Sequence, residues 1–333
     1  MALTVPLCFV SLGTDWNHGV ALLSSLLTRN GFATKLVILK DWWSFSRVVD
    51  ETDAPWMCFS AVTQTDYEAL IPFMRLANIE GKEVLLGGTW AGLERPVDWS
   101  VTRVCRGEGE TLPDYLLTGD DRLFRERLVC QDLNALPLPD YDLFKAVPFH
   151  RGLPQTEGKM CLPYVSSRGC PYPCAFCQVR KQPAFRVRTK VEEDLSELRE
   201  RYQPDLFFIG DANLPYEMPR WRESWGEFRH PFVAYIRADI TPDRLEWLID
   251  RGMVGCAFGV ESGDEFFRNT VLRKQLDDAE LWRTVAALNK ANVWFMPYFM
   301  VGVPGETFVQ QTKTAQLARK LGPLSIVWKY EEL

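Results

Sequence analysis

The chain has 333 residues, enough for two domains of ordinary size or one large one. Its 38 basic and 44 acidic residues give a net charge of −6, which argues against a bulk nucleic-acid binder because such proteins carry a basic surplus. No run approaches the ~18 consecutive apolar residues that span a bilayer. The apolar start, Met1–Val10, lacks the basic region and cleavage site of a secretory leader. We therefore expect a cytoplasmic protein without a membrane span.

Residues 1–132 alternate short apolar runs with segments of helical spacing. The predicted elements are the strands Leu3–Leu12, Thr34–Lys40, Trp56–Ser60 and Val84–Leu86 and the helices Val20–Arg29 and Tyr67–Ile79. Strands that alternate with helices imply a parallel sheet, so we predict a doubly wound, Rossmann-like α/β domain. Ligands of such folds bind at the carboxyl ends of the strands.

Residues 133–159 are predicted to form a linker, because Pro137 and Pro139 disfavour regular structure. Residues 160–333 then repeat the alternation of strands and helices. The predicted strands are Tyr164–Ser167, Leu206–Gly210, Phe232–Arg237, Gly255–Val260, Trp294–Val301 and Ser325–Lys329. The helices predicted between them include Val191–Tyr202, Pro242–Arg251 and Asp277–Asn289. Six such units suit a partial parallel (β/α)6 barrel, although a second doubly wound sheet fits the same pattern.

Three cysteines follow the first predicted strand of this second region. Cys170, Cys174 and Cys177 have the spacing to wrap one 4Fe–4S cluster and to leave one iron without a protein ligand. The alternatives are a structural zinc site or three unrelated cysteines. Zinc would need a fourth ligand nearby, and none of the three histidines lies near this loop in sequence. The other six cysteines are interpreted as structural thiols, buried for the most part.

This cysteine loop, with Phe176 just before its last cysteine, resembles that of the radical S-adenosylmethionine (SAM) superfamily. The resemblance implies that the open iron chelates the amino and carboxylate groups of SAM. One electron from the cluster then splits the sulfonium, which gives a 5′-deoxyadenosyl radical that abstracts hydrogen from a substrate. An electron donor such as a flavodoxin or ferredoxin is implied as a partner.

Segments at the ends of four later strands lie where this family places its SAM contacts. The implied contacts are Asp211 for the amino group, Arg237 for the carboxylate, Glu261 or Ser262 for the ribose, and Gly302 and Pro304 in a turn near the adenine. Each segment alone is equally typical of a loop or helix cap. Their joint order after a cysteine loop carries the resemblance.

The first domain resembles the cobalamin-binding domain that precedes the barrel in one subclass of this family. Small or glycine residues at strand ends would let the backbone approach a bulky ligand closely. The implied corrin-side residues are Trp16, His18, Ser60, Thr63, Gly87, Gly88, Thr89, Gly107 and Glu108. The cobalt-ligating Asp-x-His-x-x-Gly motif of the methionine-synthase type is absent, because His18 lies three residues after Asp15. We interpret His18 as a loop residue near the corrin. The alternative for the domain is a sheet that has lost its cofactor.

These features together predict a cobalamin-dependent radical SAM methyltransferase that acts on an unactivated carbon of a small-molecule or peptide substrate. Two alternatives stay open at this point. The first is a radical rearrangement, cyclisation or oxidation that uses the same cofactors without methyl transfer. The second is a non-catalytic protein that binds an iron–sulfur cluster or cobalamin.

Overall fold

The computed structural model describes residues 6–12, 17–39, 41–93, 95–126, 128–144, 156, 158–177, 179, 186–214 and 218–330. The chain divides into two compact units, Met1–Leu153 and Pro154–Glu332. Each unit is built around its own parallel sheet. The prediction of two α/β units is therefore confirmed.

The sheet of the first unit has five parallel strands in the order β2-β1-β3-β4-β5. They are β1 (Pro6–Leu12), β2 (Ala33–Leu39), β3 (Trp56–Ser60), β4 (Glu83–Gly87) and β5 (Arg103–Val104). Residues 3–5 and Lys40, which belong to predicted strands, lie outside the described residues. The order reverses between β1 and β3, and such a reversal opens a ligand crevice at the carboxyl ends of a doubly wound sheet.

Among the residues that the structure describes, five α-helices accompany this sheet, namely α1 (His18–Arg29), α2 (Trp42–Glu51), α3 (Gln64–Ile79), α4 (Leu112–Thr118) and α5 (Arg122–Arg125). Helix α3 begins three residues before its predicted start because Thr63 and Asp66 form a reciprocal capping box. Helix α2 was not predicted. It begins after Asp41, whose side chain accepts a hydrogen bond from the Ser44 amide, and it buries Phe45 and Val49 in the core of the unit.

The segment that we expected to be a linker is partly structured. It forms short 3₁₀ turns at Leu133–Ala135 and Tyr141–Phe144. Leu133 and Leu136 pack on Leu22 of α1. The boundary between the two units falls after Leu153, so residues 133–144 lie within the first unit.

The sheet of the second unit has six parallel strands in the order β13-β12-β11-β10-β9-β6. They are β6 (Cys161–Tyr164), β9 (Leu206–Ile209), β10 (Phe232–Tyr235), β11 (Met253–Glu261), β12 (Trp294–Val301) and β13 (Ile326–Lys329). Successive strands are neighbours and the order never reverses, which distinguishes a partial barrel from a second doubly wound sheet.

The first barrel strand lies earlier than the predicted Tyr164–Ser167. It ends at Tyr164, and a separate two-stranded antiparallel ribbon follows, formed by β7 (Ser167–Arg168) and β8 (Arg186–Val187). The prediction was wrong because Ser167 does not continue the barrel strand but pairs with Val187.

The described part of the second unit contains six α-helices, namely α6 (Val191–Tyr202), α7 (Met218–Trp225), α8 (Pro242–Asp250), α9 (Glu265–Thr270), α10 (Asp278–Lys290) and α11 (Phe308–Leu321). Capping boxes begin α10 at Asp277 and α11 at Thr307. No helix within the described ranges is both long and apolar enough to cross a membrane.

Candidate cofactor-binding site

The segment that carries Cys170, Cys174 and Cys177 (the cysteine segment) lies between the paired strands β7 and β8. This pairing holds the beginning and the end of the segment together. Part of it, at residues 178 and 180–185, lies outside the described residues. Within the described part, the Cys177 amide donates to the Cys174 carbonyl at 3.2 Å. The Ala175 amide donates to the Leu272 carbonyl at 2.9 Å, which anchors the segment to the loop after α9.

The three thiols of this segment interact electrostatically with one another. Cys174 is buried, and Cys170 and Cys177 are half-buried. Burial raises the pKa of the Cys170 and Cys174 thiols, and the positive charges of Lys274 and Arg237 oppose that rise at Cys174. Three thiols on a closed loop beside two cations are a donor set that fits an iron–sulfur cluster, whose ligands are thiolates.

All nine cysteines lie in the described residues, and none of them forms a disulfide. Of the six that we interpreted as structural, five are buried and Cys130 is half-buried. In the part of the chain that the structure describes, no group of three or more His, Cys, Asp or Glu side chains is arranged to hold a single metal ion. Cluster ligation does not need such a group, because each thiolate of a cube meets a different iron.

Asp211 follows β9 and is fully buried. Its carboxylate accepts hydrogen bonds from the Ser166 amide at 2.8 Å and from the hydroxyls of Ser166 and Ser167 at 2.5 Å. These two serines stand just before the cysteine segment. The structure therefore shows Asp211 fixing the start of that segment, and its contact with the ammonium of a ligand stays a prediction.

The buried carboxyl of Asp211 gives a test by pH. Burial raises its pKa from 3.8 to about 6, although the hydrogen bonds from Ser166 and Ser167 lower it. Because the folded state binds this proton more tightly than the unfolded chain does, the stabilisation is complete below pH ~4 and is lost as the pH rises through ~6. We expect wild type to lose up to ~3 kcal/mol of unfolding free energy relative to Asp211→Asn across this window.

Denaturant titrations of both proteins at several pH values from ~4 to ~7 would measure this difference. The comparison with the uncharged, isosteric amide removes the contributions of all other groups that titrate in this window. A difference between the two proteins that stays constant with pH would show that Asp211 does not titrate there.

Arg237 follows β10 and is also buried. Its Nε and Nη2 atoms hold Asp239 in a bidentate ion pair, with Nη2 at 2.8 Å from Oδ2. Nη2 also donates to the carbonyls of Lys274 at 2.7 Å and Gln275 at 2.9 Å. The guanidinium carbon lies 3.7 Å from the centroid of the Tyr172 ring, within the cysteine segment. Arg237 therefore joins the end of β10 to that segment and to the loop after α9.

Glu261 ends β11 and forms a buried ion pair with Lys274, at 2.8 Å between Oε1 and Nζ. The neighbouring Ser262 is fully buried, and its hydroxyl accepts a hydrogen bond from the Asp264 amide at 3.2 Å. Of the two predicted ribose contacts, the Ser262 hydroxyl therefore already has a hydrogen-bond partner within the protein. Of the two carboxylate oxygens of Glu261, Oε1 takes part in the ion pair with Lys274.

Phe176 and the turn after β12 meet in one apolar cluster. Phe176 packs on Phe267, Leu272 and Val303, and Val303 lies between the predicted adenine-side residues Gly302 and Pro304. The Gly302 amide donates to Oε2 of Glu306 at 2.6 Å, and Pro304 is exposed. Hydrogen bonds, ion pairs and ring contacts therefore link the cysteine segment to the ends of β10, β11 and β12.

The predicted corrin-side residues of the first unit follow strands of its sheet. Ser60 ends β3, and the next residue donates its amide to the Gly87 carbonyl at 3.1 Å. Gly88 has a φ of +90°, and a Cβ there would lie 2.4 Å from the Ala61 carbonyl oxygen. The turns after β3 and β4 therefore touch through their backbones, at a place where only glycine fits.

Three other predicted residues of this edge, Thr63, Glu108 and His18, have side-chain partners within the unit. Thr63 caps α3 through its hydroxyl, and Thr89 is exposed. Glu108, next to the half-buried Gly107, accepts a hydrogen bond from the Cys130 amide at 2.7 Å. His18 begins α1, and its Nδ1 lies 2.9 Å from the Tyr141 hydroxyl oxygen. Trp16 lies outside the described residues.

The cysteine segment thus contacts residues that follow strands of a sequentially ordered parallel sheet, at the carboxyl ends of those strands. Residues 164–318 match the family model of the Radical SAM superfamily. The second unit thus matches the radical SAM superfamily, whose members use a 4Fe–4S cluster and SAM.

Curated relatives extend over both units. The chain is 26% identical over 317 residues to an uncharacterized methyltransferase of Synechocystis sp., covering 84% of this chain and 56% of that protein. It is 24% identical over 353 residues to an uncharacterized methyltransferase of Pyrococcus horikoshii, covering 91% of this chain and 73% of that one. The chain thus spans a little over half of the Synechocystis protein.

A solved structure shares the fold across both units. This is the radical SAM methyltransferase TsrM of Kitasatospora setae, determined with cobalamin and a [4Fe–4S] cluster bound. The TM-score is 0.70 at 14% identity, and the match covers 99% of this chain and 73% of that one. This likeness confirms the predicted fold class, a Rossmann-like domain followed by a partial barrel.

Sequence reasoning missed Lys274 and Tyr172 as parts of this site. Lys274 lies in an irregular loop that no strand-end rule covers. Tyr172 lies inside the cysteine segment, where only the thiols and Phe176 were predicted to contact a cofactor. The tyrosine ring between Cys170 and Cys174 was the available signal, because aromatic rings often stack on arginine.

Proposed function

We propose that this protein is a cobalamin-dependent radical SAM methyltransferase acting on an unactivated carbon of a small-molecule or peptide substrate. The observation that carries the proposal is the linked set of Cys170, Cys174 and Cys177 with Arg237 and Glu261 at the ends of successive barrel strands. The similarity of the whole chain in fold to TsrM, a methyltransferase with cobalamin bound, supports it.

The cysteines of the proposed site would ligate a 4Fe–4S cluster, which supplies the electron that cleaves SAM. Asp211 keeps the start of the cysteine segment in place through Ser166 and Ser167. Arg237 contributes a fixed positive charge for a carboxylate, and Glu261 contributes an acceptor for hydroxyl groups. Phe176 and Val303 supply apolar surface beside these polar groups.

The first unit would hold cobalamin, the methyl donor, at the carboxyl edge of its sheet. Ser60, Gly87 and Gly88 are small residues at the ends of β3 and β4, and they leave backbone accessible to a large flat ligand. His18 lies at the same edge, after β1. The electron donor, a flavodoxin or ferredoxin, and a cytoplasmic location are parts of the same proposal.

The test is to reconstitute the protein anaerobically with iron, sulfide and hydroxocobalamin and to reduce it in the presence of SAM. We expect retained iron, about one cobalt per chain, and 5′-deoxyadenosine together with S-adenosylhomocysteine. S-adenosylhomocysteine should depend on cobalamin, while 5′-deoxyadenosine should depend on the cluster. Cleavage of SAM without retained cobalamin would favour another radical reaction, and absence of both products would contradict the enzyme assignment.

A further inference from the structure

Lys274 lies in the loop between α9 and α10, and its ammonium is buried against Glu261. The exposed fractions of the two side chains are 10% and 9%. The Lys274 Nζ atom also lies 5.9 Å from the centroid of the Phe176 ring. A buried lysine needs such a partner, because an isolated ammonium is costly to remove from water.

The backbone of this loop fixes where Lys274 points. Its flanking residues, Arg273 and Gln275, have φ values of +52° and +54°, a conformation that costs non-glycine residues energy. The Lys274 amide donates to the Arg268 carbonyl at 3.1 Å, and its carbonyl accepts from Arg237 at 2.7 Å. The loop is thus tied to α9 and to the end of β10.

Glu261 is held in a conformation that it would not adopt alone. Its φ is +70°, and the register between β11 and β12 shifts between Gly259 and Glu261. Its carboxylate folds back over Gly259, where an added Cβ would lie 1.8 Å from Oε1 and 2.8 Å from the Lys274 Nζ. Oε2 makes no hydrogen bond with any described residue. The missing side chain of Gly259 therefore makes room for the ion pair.

We propose that Lys274 is a positioning residue for SAM binding. It holds Oε1 of Glu261 and so keeps Oε2 as the acceptor for the ribose hydroxyls of SAM. The inference rests on the proposed function, because it takes the ligand of Glu261 to be SAM. Without the ammonium, the buried carboxylate would lower its free energy by turning toward water. The ribose hydroxyls of the ligand would then lack their acceptor.

The test measures binding of radiolabelled SAM and of methionine to the cluster-loaded protein by equilibrium dialysis. Methionine is the probe that lacks the ribose. We expect Lys274→Met to weaken SAM binding about tenfold while methionine binding and iron content stay unchanged. Lys274→Arg, which keeps the cation, should recover most of the SAM affinity. An equal loss for SAM and methionine would overturn the inference, since Lys274 would then act on the cluster or on the whole fold.

A double-mutant cycle separates positioning from direct contact. If Lys274 acts only through Glu261, Lys274→Met should weaken SAM binding no further in a Glu261→Gln background. The double variant also removes both buried charges, so it stays informative if the single lysine variant folds poorly. A further loss in that background would show that Lys274 contributes independently of Glu261, which contradicts the proposal.

Arg251→Met is the matched control. Arg251 lies just before β11, is buried to a similar extent as Lys274 and also pairs with a carboxylate, that of Glu227. It should leave SAM binding unchanged. Wild-type protein that binds neither ligand would overturn the proposed function together with this inference. Wild type that binds SAM no better than Lys274→Met would overturn this inference alone.

Discussion

Cys174→Ala should abolish both the iron–sulfur cluster and the cleavage of SAM. Cys174 is the most buried of the three cysteines of the segment, and its backbone carbonyl is bound by Cys177. With one of three thiolates removed, the remaining two cannot hold a cluster that already leaves one iron without a protein ligand. After anaerobic reconstitution we expect background iron, loss of the broad visible absorption, and no 5′-deoxyadenosine.

Cys256→Ala is the control for this experiment, because Cys256 is a buried free thiol on β11 of the same unit. It should retain iron and turnover, since Cys256 packs as a small apolar side chain. A Cys174→Ala protein with a full iron complement and normal turnover would refute the assignment of the cluster to this segment.

Arg237→Ala should lower both SAM affinity and stability. The substitution leaves Asp239 without its bidentate partner, in a pair whose side chains are 8% and 15% exposed. It also removes the donor to two loop carbonyls and the cation that contacts Tyr172. We expect the unfolding free energy to fall by about 3 kcal/mol, as when one partner of a buried ion pair is removed. SAM binding should weaken by about 1.5–3 kcal/mol, as for the loss of a charged hydrogen bond.

Arg237→Lys should recover little of this loss, because an ammonium cannot reproduce the planar fork or the stacked contact. Arg229→Ala is the exposed counterpart, since Arg229 pairs with Asp250 and both are more than half exposed. It should change stability by less than ~1 kcal/mol. If Arg237→Ala lowers stability but leaves SAM affinity unchanged, Arg237 has a structural role only.

The sequence was most informative where apolar runs have clear ends. Trp56–Ser60 and Trp294–Val301 were predicted with the bounds that the structure shows, because each run is flanked by residues that leave the strand pattern. The first barrel strand was placed three residues too late. The predicted strand ran directly into the motif Ser166–Cys177. In the structure, the residues that pair with β9 are Cys161–Tyr164.

The positions of the candidate site were predictable from strand ends, but the pairing of its side chains was not. A carboxylate after a strand can turn toward a ligand or toward its own chain, and Asp211 turns toward Ser166 and Ser167. Which cation meets Glu261 depends on how the loop after α9 folds back. That path is set by tertiary hydrogen bonds from Arg237 and Arg268, for which a local pattern gives no signal.

The absence of a side chain at Gly88 has a consequence for redesigning the first unit. The turns after β3 and β4 share two main-chain hydrogen bonds there. The Ala61 amide donates to the Gly87 carbonyl, and the Trp90 amide donates to the Ala61 carbonyl, so a change in one turn should displace the other. Lengthening either turn would break both bonds, whereas the side chains of Val62 and Thr89 are exposed and free to vary. A library that seeks new ligand preferences at this edge should therefore randomise those two positions together and keep the glycine and both loop lengths constant.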